Sequence, residues 1–180
     1  MKFTLLLIIL LLFQPSQLSA KDREPKKYAG ITKSHNIIRE KHNIPPLQWS
    51  NKLAKHAQQW ANYLAKEKNC AMIHRPRSGK YKRIYGENIY WASPVRMGNG
   101  KKKVQSVSPA KIVSLWAAEE KYYNHANNRC KPGKVCGHYT QIVWKRTTQV
   151  GCGMAVGSNA AQIWVCNYNP LGNYIGQKPY

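Results

Sequence analysis

The sequence predicts an α+β fold, a three-layer α-β-α sandwich built on a short antiparallel sheet. Two stretches, around 50–64 and 108–123, repeat apolar residues at the three-four spacing of a helix face. Two apolar runs, 150–156 and 162–168, flank Gly157-Ser158-Asn159-Ala160 and read as a hairpin. Helices of this kind bury their stripes against such a sheet, and no repeat or composition break divides the chain.

The chain opens with Lys2 and then an uncharged apolar run from Leu5 to Phe13, followed by Ser16, Ser19 and Ala20. This layout predicts a secretory signal peptide over 1–20, because the run is too short to span a bilayer. The mature domain is then expected outside the cell, long enough for one core. A basic segment, 21–27, precedes it.

The formal net charge is +22 over 180 residues, and Lys2 is the only charged residue in 1–20. Such an excess predicts attraction to anionic cell-wall polymers or membrane surfaces. An exported protein has little access to nucleic acid, so no nucleic-acid partner is expected. The cations gather in Lys21–Lys27, Arg75–Arg83 and Lys101–Lys103, each of which reads as a flexible solvated run.

Residues 26–43 have helical character, with Ile31, His35 and Ile38 spaced for one face, and Pro45-Pro46 blocks continuation. Ser50 is an N-cap for a second helix carrying Leu53, Ala54, Ala57, Trp60, Ala61 and Leu64. Residues 69–85 read as an irregular basic loop ending at Gly86-Glu87-Asn88-Ile89-Tyr90-Trp91. There Glu87 stands among apolar neighbours and needs a partner for its charge. A second loop, 94–107, leads to Ser108-Pro109, a cap with proline at the first helical position. The helix that follows is expected to run to Asn127-Asn128, with Glu119 at the border of its apolar face and Glu120 solvated.

Gly137-His138-Tyr139-Thr140-Gln141-Ile142-Val143-Trp144 alternates aromatic, polar and β-branched residues and reads as a central strand with His138 at its mouth. From Pro170 a Gly-, Pro- and Tyr-rich tail is expected as ordered coil. Five cysteines, Cys70, Cys130, Cys136, Cys152 and Cys166, suit disulfides in an exported domain, and the odd count leaves one thiol free or paired outside the chain. No zinc or redox Cys-x-x-Cys pair occurs.

His74, Glu87, Glu119 and His138 lie at or beside apolar segments far apart in sequence. Should the fold gather them, they would form a His2Glu2 cluster suited to a divalent ion such as zinc. Without metal the same residues would make a buried polar network.

Several motifs together resemble the CAP superfamily, and most closely its plant pathogenesis-related group 1 members. They are His35-Asn36-x-x-Arg39, Pro45-Pro46-Leu47-x-Trp49, Gly86-Glu87-Asn88-Ile89, Cys136-Gly137-His138-Tyr139-Thr140-Gln141 with Val143-Trp144, Cys166-Asn167-Tyr168-x-Pro170-x-Gly172-Asn173, and Gly176–Tyr180. The resemblance covers 28–180 and implies an α-β-α sandwich of the CAP type, whose central cavity carries His74, Glu87, Glu119 and His138. It implies disulfides Cys130–Cys136 and Cys152–Cys166. The resemblance places the sixth family cysteine at Gly157, in the hairpin turn, with Cys70 as its usual partner, which makes Cys70 the candidate free thiol.

The resemblance further implies a secreted, basic, antimicrobial defence protein, monomeric and non-enzymatic. Such a protein would bind sterol or fatty acid, require no cofactor, and have room for a divalent cation. Two alternatives stand beside it: a metal-dependent hydrolase using the tetrad, and a precursor releasing residues 170–180 by cleavage between Asn169 and Pro170.

Overall fold

The computed structural model describes residues 22–180; the expected signal peptide over 1–20 lies outside them. The elements run α1 (Ile31–Glu40), β1 (Gln48–Trp49), α2 (Asn51–Glu67), β2 (Gly86–Ala92), β3 (Val95–Arg96), β4 (Lys102–Lys103), α3 (Pro109–Ala117), β5 (Tyr123–Asn124), β6 (Arg129–Cys130), α4 (Gly137–Ile142), β7 (Gln149–Val156) and β8 (Gln162–Asn169). The main sheet has the order β1-β7-β8-β2. Its three long strands are antiparallel, as expected, while the two-residue β1 adds a parallel edge.

The sheet separates two apolar clusters, and β8 shows why. Its residues point alternately to opposite faces. Ile163 and Val165 join the α2 residues Ala57, Trp60, Ala61 and Leu64. Trp164, Cys166 and Tyr168 join Ile31 of α1, Ile112, Val113 and Trp116 of α3, and Tyr139 and Ile142 of α4. The result is the three-layer arrangement the sequence predicts. On the α2 side β7 presents Gly151 and Gly153, where an added Cβ would stand 2.3 Å from the backbone nitrogens of Ala54 and Gln58. Helix and strand approach closely because nothing projects between them.

Ser50 caps α2 by accepting from Leu53 N, and Ser108 caps α3 from Lys111 N, as their sequences predict. The 21–27 segment is less free than its charge suggests. Glu24 accepts from Gly30 N and Thr32 N at the start of α1, and Asp22 accepts from Asn51 N at the start of α2. Both carboxylates thereby meet orphan amides at the positive ends of helices.

Two elements differ from expectation. Residues 137–142 are helical, not a strand: Thr140 N donates to Cys136 O and Val143 N to Tyr139 O. Tyr139, Ile142 and Val143 are all buried, so three-four spacing decided the period over β-rich composition. The α3 helix ends at Ala117 and continues only as a 3-10 turn, Ala118–Tyr122, well short of Asn127.

A fully buried polar chain ties the layers together. His35 Nδ1 lies 2.8 Å from Ile31 O, which can only accept, so Nδ1 carries the proton. Nε2 then accepts from the Tyr168 hydroxyl at 2.8 Å. Tyr168 in turn accepts from Asn88 Nδ2, which also donates to His138 O. Burial pushes the His35 pKa down to about 4. Its folded value lies below the unfolded one near 6.5, so the unfolded chain binds the extra proton between those values. Stability is therefore full above about pH 6.5 and falls by about 3 kcal/mol as pH drops to about 4. The His35 ring followed by NMR is expected to titrate near the lower value; a midpoint near 6.5 would contradict this network.

Candidate functional site: two imidazole–carboxylate pairs and a groove on α1

The four residues of the expected cluster form two pairs. Glu87, held by β2, has a fully buried side chain; its Oε1 accepts from His74 Nδ1 at 2.8 Å and from Arg75 N at 3.0 Å. Its Oε2 is buried with no hydrogen-bond partner. Glu119, in the 3-10 turn after α3, accepts from His138 Nδ1 at 2.6 Å through Oε1. Its Oε2 accepts from His138 N and Tyr139 N, capping an α4 whose own N-cap, Cys136, offers no side-chain bond. The His138 ring stacks on Trp116 with centroids 5.9 Å apart.

Each Nδ1 donates to a carboxylate, which fixes ring orientation and leaves each Nε2 outside the pair. This is how a histidine is oriented toward a metal by a second carboxylate, rather than how two histidines and two glutamates share one ion. Among the described residues no three His, Cys, Asp or Glu side chains lie close enough together to hold a metal ion. The two imidazole Nε2 atoms and Glu87 Oε2 are left without a protein partner among the described residues, and they do not gather into one three-ligand site. The polar-network reading describes the rest of the arrangement.

Neither imidazole hydrogen-bonds a Ser, Thr or Cys among the described residues. The disulfides implied by the resemblance, Cys130–Cys136 and Cys152–Cys166, are both formed. Cys70 is free and buried, and burial pushes its thiol pKa up. It is inert rather than poised for attack.

The tail is ordered coil, as expected, and held along its length. Asn169 pairs with Gln149 as the last rung of β7–β8, and Pro170 O accepts from Thr147 Oγ1 at 2.9 Å. Lys145 N donates to Pro179 O, and Tyr180 stacks between His42 and His125 at 4.6 and 4.4 Å.

The sequence reading missed a groove of about 690 Å³ between the outer face of α1 and the following turn. Ile37, Ile44, Pro45 and Pro46 form its apolar wall, with Lys33 and Glu40 at its rim. Ile37 is 48 % exposed although it sits opposite the buried Ile31–His35 stripe. That signal was available: an isoleucine on the wrong side of an amphipathic helix, beside two prolines.

Comparison with known proteins gives a consistent picture. The model of the cysteine-rich secretory protein (CAP) family matches residues 32–168. A pathogenesis-related protein PR-1 from Medicago truncatula is 40% identical over 167 residues, covering 92% of this chain and 85% of that one. Among solved structures BmVAL-1 superposes with a TM-score of 0.67 at 24% identity, over 90% of this chain and 85% of its own. NaASP2, solved with Zn2+, gives 0.60 at 22% over 86% and 84%. At these identities the two structures speak for the fold alone.

Proposed function

The chain belongs to the CAP family, and from that premise we propose that it is a secreted, non-enzymatic defence protein of the PR-1 type that binds a sterol or other amphipathic lipid. The observation that carries this reading is the α1 groove. Its volume suits a small-molecule ligand, its wall is aliphatic, and its rim offers one cation and one carboxylate for a hydroxyl or carboxylate head. Secretion follows from the leader-like residues 1–20 and agrees with two disulfides in the fold. The large positive charge would hold the protein at anionic wall or membrane surfaces.

A divalent cation is accessory to this reading. His74 or His138 through Nε2 would be a donor to it, with solvent completing the coordination, because no three-ligand site forms among the described residues. NaASP2 with Zn2+ shows that a protein of this fold has been solved with such an ion. The hydrolase alternative is not favoured: Glu119 is occupied in orienting His138 and capping α4, and among the described residues no three ligands converge to hold a catalytic ion. Release of residues 170–180 is not favoured either, because Asn169 and Pro170 are bonded into β7 and Thr147.

The test is equilibrium binding of a labelled sterol and a labelled fatty acid to purified protein. Stoichiometric, saturable uptake of either is expected, and no uptake of both ends this proposal.

A further inference from the structure

The basic run Arg75–Arg83 reads in sequence as a solvated loop, and the fold treats it differently. Arg83 N donates to Pro76 O and Lys82 N to Gly79 O, closing the loop on itself. Tyr81 packs on Tyr63 and Trp60 of α2, with centroids at 4.7 and 5.5 Å. The Arg75 guanidinium lies over Trp60 at 5.1 Å, and Arg75 is only 5% exposed. An aromatic cluster thus pins the loop against the helix and borders an open cavity of about 710 Å³. Its polar lining includes Arg75, Lys80, Lys82, Gln59 and Asn62, with Tyr81 and Ile84 as apolar wall and no carboxylate.

Arg75 is the informative member. Of the several N–H groups a guanidinium offers, only one, on Nη2, meets a protein acceptor, the carbonyl of His56 at 2.8 Å. Its Nε is buried without any partner, and among the described residues no carboxylate oxygen comes within 4.0 Å of it. Glu87 offsets part of the Arg75 charge from a distance without bonding the guanidinium, and with two lysines on the same pocket the balance still favours an anionic acceptor from outside. Burial holds the His56 pKa down, which leaves the positive charge to the arginine and lysines.

We propose that this cavity is a binding site for an acidic oligosaccharide, a chain of uronic acid residues whose carboxylates meet Arg75, Lys80 and Lys82. A polymer is favoured over a lone ion because three cations, Arg75, Lys80 and Lys82, line one pocket and can meet several carboxylates of one chain. Gln59 and Asn62 supply amides for sugar hydroxyls. A single-stranded nucleic acid is less suited, since it needs free aromatic faces on which bases stack. Here Trp60 and Tyr63 are stacked on each other, 4.9 Å apart. The inference gives a place and a ligand class to the anion attraction proposed above and rests on it; it does not depend on lipid uptake.

The experiment is calorimetric titration of the full chain with a uronic acid trisaccharide, its neutral counterpart, inorganic phosphate and a short single-stranded RNA oligomer, at low and moderate salt. The double variant Lys80→Gln/Lys82→Gln is compared with Lys101→Gln/Lys102→Gln, which removes equal charge from the β3–β4 hairpin; Arg75 is left intact to preserve the fold. The expected result is acidic-sugar binding weakened about tenfold or more in the first variant and less than about twofold in the second. Binding lost equally in both variants overturns the site while keeping a general charge attraction. No acidic-sugar binding at all overturns both. Equal binding of the neutral sugar, of phosphate, or of a competing RNA oligomer overturns the ligand class.

Discussion

Replacing Arg39 by alanine is expected to destabilise the domain by about 4 kcal/mol, a large share of the ~5–15 kcal/mol that holds a domain of this size. Arg39 is completely buried at the end of α1 and donates to five backbone carbonyls: Pro45, Ile142, Trp144, Lys145 and Thr147, at 2.8–3.5 Å. Burial holds its pKa down to about 10, so it stays charged at neutral pH. Removing it strips the end of α4 and the following turn of their shared donor, with Trp144 O alone keeping a second one in Thr147 N, and leaves a cavity. Arg39→Lys is expected to recover less than half of the loss, because one ammonium cannot reach acceptors spread around a guanidinium plane. Urea unfolding checks both variants. A midpoint for Arg39→Ala corresponding to less than about 1 kcal/mol would show that this cation is not what joins α1 to α4.

The second large effect runs the other way. A Cβ added at Gly157 would stand 2.8 Å from Cys70 Sγ, close to the ~3 Å that an S–S bond of ~2.05 Å requires between one Cβ and the opposite sulfur. Gly157 does not lie in the left-handed region, so a cysteine there carries no backbone strain. Gly157→Cys is expected to form a third disulfide spontaneously, abolish the free thiol and raise stability by about 3 kcal/mol, since the loop it closes is long. Thiol counting with and without denaturant, and melting with and without reductant, check this. A variant that keeps two free thiols and melts like the parent would contradict the placement of Cys70 against the hairpin turn.

Much of the fold was legible because single positions carry strong local signals. Ser50 and Ser108 open helices where a hydroxyl before an apolar stripe predicts them, and Gly157–Ala160 turns the β7–β8 hairpin. The 137–144 stretch was misread because Tyr, Thr, Ile, Val and Trp favour strands by composition. The burial of Tyr139, Ile142 and Val143 is a property of tertiary packing that composition does not carry. The identities of the tetrad residues were legible through family motifs, but their division into His74–Glu87 and His138–Glu119 was not. Sequence spacing says nothing about which carboxylate faces which ring. Nor could it show that Arg39 serves five carbonyls, or that Arg75 leaves its loop to lie over Trp60.

Within the functional account the groove and the histidine pairs make separable demands. Ile37→Asp puts a charge on the groove wall at an exposed position and should leave the fold intact, whereas His138→Ala empties one pair and leaves the groove alone. Lipid titration of the two variants beside the parent is the decisive measurement. The account predicts affinity about tenfold or more weaker for Ile37→Asp, from the loss of an aliphatic contact, and unchanged for His138→Ala. Undiminished lipid binding by Ile37→Asp, or its loss in His138→Ala with the fold preserved, would contradict it.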